Sequence, residues 1–249
     1  MKKILNWGIA VIAFLAISVT ACKDEEQLEP VRVVTGLDGR TQANNKVFPL
    51  NSQPFGKPLA SWTEDWWRYA FSLPCEINPL MDETGIHADK GQKGPVYFLV
   101  GNSGGFSTRK VVIPYGKGIL FPIINVINDA PCPNLDYTLA PGQTLEDYLK
   151  DGARNAIDMA GNLSVELDGK PIGGLEQFRV PTNLFTCVGD PDLSTCLDPC
   201  ILGIKQDAVS DGYWILLKPL SKGNHLLHFH GEIQEYEFVV DVTYQVSVL

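Results

Sequence analysis

From Tyr236 to Val248 the chain alternates without a break. Tyr236, Phe238, Val240, Val242, Tyr244, Val246 and Val248 fall on one side, and Glu237, Val239, Asp241, Thr243, Gln245 and Ser247 on the other. Successive side chains of a strand point to opposite faces, so this period of two describes one long strand with an apolar face in a core and a mostly wet face outside. A helix would scatter the same apolar residues around its axis. The remainder of the chain must therefore supply a sheet and a layer to cover it.

That layer is legible in PVYFLVG, KVVIP, GILFPIINV, LSVELDG, YWILLKPL and HLLHFHG, which read as further strands between turns rich in glycine and proline. Roughly nine short strands without regular intervening helices predict a mainly β fold: an antiparallel β-sandwich of jelly-roll or immunoglobulin-like type, with a β-barrel as the alternative. GNLSVELDGKPIGG reads as a strand and hairpin turn. YWILLKP and HLLHFHGE, separated by LSKGN, are expected to pair as a hairpin turning on Gly223 and Asn224.

Two segments have helical period and are expected to pack on the sheets. In SWTEDWWRYAFSLP, Ser61 and Glu64 form a Ser-x-x-Glu capping box, and Trp62, Trp66, Trp67, Ala70 and Phe71 make a wide apolar stripe before Pro74. In QTLEDYLKDGARNAIDMAGN, Thr144 caps with Asp147 three residues later, and Leu145, Tyr148, Leu149, Ala156, Ile157 and Ala160 line one side up to Gly161.

The N-terminal residues carry an address. A basic MKK, an apolar run from Trp7 to Val19 and the tetrapeptide VTAC ending at Cys22 have the parts of a secretory signal and resemble a bacterial lipobox, in which the cysteine receives lipid. The expected organisation is a signal peptide over 1–21, a lipidated N-terminus and flexible acidic tether over 22–45, and a single β-rich globular domain over 46–249. KDEEQLEP after Cys22 is similar to an export tag for the outer face of a Gram-negative envelope, so the expected location is a lipid anchor in the outer membrane, displayed at the surface. Without Lys2 and Lys3 the chain keeps 18 basic against 29 acidic side chains, a net of −11. Such a charge repels phosphate backbones and argues against nucleic-acid partners, leaving the membrane, a polysaccharide or an envelope protein.

Five further cysteines follow: Cys75, Cys132, Cys187, Cys196 and Cys200. Outside the cytoplasm they are expected to oxidise and leave one thiol over. The Cys-x8-Cys-x3-Cys spacing of the last three lacks the paired knuckles of a zinc site, so a disulfide stapling their loop is expected.

Three sets of residues could carry function. GNSGG at 101–105 has the letters of a serine-hydrolase motif, but a strand follows where the nucleophile turn needs a helix, so Ser103 reads as part of a glycine-rich hairpin loop. Trp62, Trp66, Trp67 and Tyr69 crowd one helix. Most of these rings are expected in the core, and a ring left facing outward would be a platform for stacking on sugars. His228, His230 and Glu232 share one face of their strand opposite Leu227 and Phe229. Joined by His87, they could hold a divalent metal and make the chain a metal-dependent hydrolase or lyase, although their spacing of about 7 Å along one strand is wide for neighbouring ligands. No other cofactor is indicated.

SWTEDWWRYAFSLP, NPLMDETG, GQKGPVYFLVG, the strand from Arg109 to Pro114, PYGKGILFPIIN, VELDGKPI, FRVPT and DGYWILLKPLSKGNH together resemble the successive blocks of an uncharacterised family of secreted bacterial proteins. The likeness spans roughly residues 54–130 and 163–231. It implies secretion and no particular activity. Where the family pattern has a cysteine near Ala88, this chain has Cys75 instead, and His228 and His230 are not family positions. The reading that joins these observations is a lipid-anchored binding or structural module recognising glycan or another envelope polymer, rather than an enzyme.

Overall fold

In the computed structural model, which describes residues 44–133, 135 and 137–249, the alternating C-terminal segment forms strand β9 (Phe238–Val248). It begins two residues later than its pattern, because Gln234–Tyr236 close a 3-10 turn and Glu237 takes a left-handed conformation at φ 50°. The signal peptide, Cys22 and the tether up to residue 43 lie outside the described residues. All described residues belong to one compact unit, Gly36–Leu249.

Eight more strands precede β9: β1 (Val96–Phe98), β2 (Gly105–Ile113), β3 (Gly118–Ala130), β4 (Ala160–Leu167), β5 (Lys170–Pro171), β6 (Phe185–Val188), β7 (Lys205–Leu217) and β8 (Gly223–Ile233). They form a sandwich-like stack of a four-stranded sheet, ordered β1-β3-β7-β6, and a five-stranded sheet, ordered β2-β9-β8-β4-β5. The expected purely antiparallel pairing is corrected at two ladders, since β1 runs parallel to β3 and β2 parallel to β9. An alternating pattern is blind to strand direction: either sense of pairing buries the same set of side chains.

The expected β7–β8 hairpin is also absent. β7 pairs with β3 and β6 in one sheet, whereas β8 pairs with β9 and β4 in the other. Burial explains the split. Ile215 and Leu217 of β7 enter the core between the sheets, while Trp214 and Leu216 enter a second core on the far side, so β7 is buried on both faces. β8 alternates, with Leu227 and Phe229 buried and Leu226, His228 and His230 on the open face, as its sequence pattern requires. The turn between β4 and β5 does form, with Asp168 at φ 54° and Gly169 at φ 71°, the left-handed pair that an Asp-Gly hairpin needs.

Helix α1 (Leu59–Phe71) covers the outer face of the four-stranded sheet. It starts before the Ser61 box and has no side-chain cap: Pro58 stands at the N-cap, and Glu64 pairs with Arg68 at 3.2 Å instead of reaching back. Helix α2 (Leu145–Asp158) has the predicted Thr144–Asp147 box, with both reciprocal hydrogen bonds formed. It ends earlier than predicted, since Ala160 already belongs to β4. Leu149 and Ala153 of α2 close a third, small core with Ala130 and Val209. The short helix α3 (Leu193–Cys196) lies in the cysteine-rich loop.

Two disulfides, Cys75–Cys196 and Cys132–Cys200, tie that loop to remote segments. They replace the expected bond within the loop, and the buried Cys187 on β6 is the thiol left over. Paired cysteines of this kind mark an oxidising, extracytoplasmic environment. Among the described residues no helix is long and apolar enough to cross a membrane.

Candidate ligand-binding cleft

The tryptophans do not form an exposed platform. Trp62, Trp66 and Trp67 keep only 5, 1 and 7% of their surface, and Tyr69 is buried with them. Each polar tip has a partner: the indole N–H groups donate to Pro54 O (2.8 Å), Leu99 O (2.7 Å) and Ser210 Oγ (2.7 Å), and the Tyr69 hydroxyl accepts from Gln92 Nε2 (2.9 Å). Burial of so much aromatic area against a sheet outweighs any benefit of display.

Trp66 and Trp67 nevertheless reach a cavity. β1 pairs with β3 only over Gly118–Leu120, so from Pro122 onward β3 has no strand neighbour on that side among the described residues. Two cavities follow this free edge and share Ile127 and Asp198 as a common wall. The first, about 300 Å³, is mainly apolar, walled by Trp66, Trp67, Phe71, Ile123, Leu197 and Phe238. The second, about 590 Å³, lies between β3 and α2 and is polar and aromatic, with Tyr137, Tyr148, Gln143, Asn155 and three aspartates, Asp129, Asp151 and Asp198. Among the described residues no lysine or arginine lines either cavity.

Several local features hold this shape. Gly152 sits inside α2, where glycine costs about 1 kcal/mol relative to alanine. Its place is fixed by Asn128, whose Nδ2 would lie 2.3 Å from an added Cβ and which donates to Leu149 O at 3.1 Å. The rings of Tyr137 and Tyr148 meet edge to face at 5.8 Å, and the Tyr137 hydroxyl donates to Asp129 O at 2.8 Å. Gln206, buried on β7, donates through Nε2 to Asp129 Oδ2 (3.2 Å), Pro131 O (2.9 Å) and Cys200 O (2.9 Å), tying the end of β3 to the cysteine-rich loop beside the second cavity. Leu197 and Asp198 sit between the two disulfide-bonded cysteines of their loop, Cys196 and Cys200. Burial, with a contribution from the nearby Asp198 charge, pushes the Asp129 carboxyl up to about 6.

The chain matches no protein-family model, no curated protein and no solved structure. Its chemistry is therefore read from these side chains alone.

The histidine set does not assemble as a metal site. His228, His230 and Glu232 lie on the open face of the five-stranded sheet, where β9 adds Asp241, a residue that the one-strand pattern could not reveal. His228 Nε2 lies 3.1 Å from Asp241 Oδ1, His230 Nδ1 2.9 Å from Asp241 Oδ2, and His230 Nε2 2.9 Å from Glu232 Oε1. Asn162 Nδ2 donates to Glu232 Oε2 at 2.7 Å. The groups run as a chain of pairs, His228 through Nε2 and His230 through both ring nitrogens facing carboxylates, instead of converging on one point. His87 is held elsewhere, in the segment whose backbone caps Asp82. Among the described residues no three His, Cys, Asp or Glu side chains are arranged to hold a metal ion.

Two other features are structural. Ser103 lies in the connection from β1 to β2, which changes sheet and is no hairpin; Asn102 clamps it by donating to Gly105 O and Ser107 Oγ, both at 3.0 Å. His225 Nδ1 lies 2.8 Å from Asp168 Oδ2, but its Nε2 is closer to the Ser221 carbonyl (2.9 Å) than to the Ser221 hydroxyl (3.4 Å). That arrangement staples two turns and leaves no base aimed at the hydroxyl. A larger groove of about 820 Å³ crosses the open face beside His225, over Lys110, Leu226 and Gln245, with no unpartnered buried polar group in its wall.

Proposed function

We propose that this protein is a lipid-anchored binding module of the bacterial envelope that takes a saccharide, free or as part of an envelope polymer, in the cleft between β3 and α2. The observation that carries this reading is the lining of the cleft, where two tyrosine rings stand among amides and carboxylates. Sugars present apolar C–H faces that stack on rings, and hydroxyls that satisfy such groups. The three aspartates, with no lysine or arginine among the described lining residues, disfavour phosphate and other anionic ligands. The acidic net charge of −9 acts in the same direction.

The test is a glycan array probed with the full chain and with Tyr148→Ala, whose ring is only half-buried. The reading expects a restricted set of neutral or amino sugars bound by the wild type, with a loss of about two- to tenfold in the variant, the scale of one stacked ring. Binding to no saccharide would overturn it.

A further inference from the structure

The polar cleft does not account for the apolar cavity beside it. Along β3 the lining passes from Pro122 and Ile123 through Asn125 and Ile127 to Asn128 and Asp129, apolar at one end and polar at the other, over roughly 20 Å of strand. The indole N–H groups of Trp66 and Trp67 are spent on Leu99 and Ser210, so both residues offer the cavity only apolar surface. Asn125 stands between the two ends, and its buried Nδ2 has no hydrogen-bond partner among the described residues. A buried amide donor without an acceptor is rare and marks the junction between the two ends.

From this gradient we infer that the ligand is amphipathic: a saccharide bearing an acyl group, whose chain occupies the Trp66/Trp67 cavity and whose amide or ester linkage lies at the Asn125 junction between the two ends. The inference rests on the saccharide reading of the neighbouring cleft and adds the class of sugar. A cavity of about 300 Å³ is at the lower end of the size of small-molecule sites and suits one short chain, and its mainly apolar lining offers little to a second sugar. Its wall at Leu197 and Asp198 is held on both flanks by disulfides, so the receptacle is kept open without a ligand. Ser103 stands exposed at its rim.

The test is titration calorimetry of the purified full chain with N-acetylglucosamine, N-octanoylglucosamine and octanamide, each below its aggregation concentration. We expect the octanoyl sugar to bind at least tenfold tighter than the acetyl sugar, and octanamide to bind measurably by itself. Leu197→Trp, which fills the cavity from its wall, and Ser103→Trp, which plugs its rim, should each abolish the gain from the longer chain. If Leu197→Trp melts or folds differently from the wild type, the exposed Ser103→Trp decides alone. Equal affinity for the two sugars, or a gain that survives in a correctly folded plug variant, overturns the inference while leaving the saccharide reading intact. Octanamide binding in a chain that holds no saccharide on the array overturns the saccharide reading and leaves only an acyl cavity. Binding of none of the three, with no saccharide on the array, overturns both.

Discussion

Trp67 Nε1 donates to Ser210 Oγ at 2.7 Å, joining the middle of α1 to the middle of β7 across a buried interface. Trp66 packs edge to face on Trp67 at 5.0 Å and on Trp214 at 5.2 Å, so both rings of the pair lie in the second core, where most of the helix's rings are expected, and neither is left outward as a platform. Trp66→Ala is expected to lose about 3–5 kcal/mol in chemical denaturation. Ser210→Ala, which orphans the indole N–H but leaves the packing, should lose about 1–3 kcal/mol. A ranking with Ser210→Ala the more damaging would show that packing is not what fixes α1.

Asp129 gives a pH signature. Its carboxyl is pushed up to about 6 by burial first and the Asp198 charge second, against 3.8 without the fold. Between these values the native state binds the more protons, so this contribution to stability is full below pH 3.8 and is lost as pH rises through 6. Asp129→Asn should therefore gain on the wild type as pH is raised from 4 to 7, measured as the difference in unfolding free energy between the two proteins. A difference that stays constant over that range would contradict the burial assigned to this group.

Asp82 should behave oppositely. Burial alone would raise its carboxyl, but hydrogen bonds from the backbone N–H groups of His87, Thr84 and Gly85 and from the Thr84 hydroxyl outweigh it and hold it below its ordinary value. Its contribution is full above pH 3.8 and is lost as pH falls further below that value. Asp82→Ala is expected to loosen residues 82–87, and faster amide exchange of Thr84, Gly85 and His87 than in the wild type is the readout.

The cysteines divide into two chemical classes. Cys187 is buried, and burial with the Asp129 charge pushes its thiol up to about 11, so it should resist alkylation in the native chain and react once denaturant is added. Cys132→Ser should destabilise by about 2–5 kcal/mol. It should also weaken ligand binding, because Asp198 loses one of its two anchors. Peptide mapping after alkylation checks the first expectation and denaturation the second; a Cys187 alkylated as fast as a free peptide thiol would be incompatible with its burial on β6.

Local chemistry was readable in the sequence wherever neighbours along the chain decide the outcome. The alternation in β9, the Thr144–Asp147 box and the Asp168–Gly169 turn all appear as their residue types require. The Ser61–Glu64 box failed because a competitor four residues on, Arg68, takes the carboxylate and the helix begins three residues earlier. The parallel pairing of β2 with β9 and the separation of β7 from β8 depend on partners more than a hundred residues away or on burial of both faces, which a period-two pattern does not encode. The cleft was half legible. Trp66 and Trp67 were singled out from their crowding, but Asp129, Tyr148, Asn155 and Asp198 come from three separate elements and carry no common motif. Gly152, a glycine inside an otherwise good helix, is a signal that the sequence reading passed over.

The central claim is that ligand is held along the free edge of β3, against α2 and the disulfide-pinned loop. Hydrogen–deuterium exchange of the full chain, with and without the saccharide bound best on the array, tests it most directly. The account predicts slowed exchange on binding in residues 123–129, 145–155 and 197–200, and none across the open face of β8 and β9. Protection confined to that open face, around His228, His230 and Gln245, would contradict it.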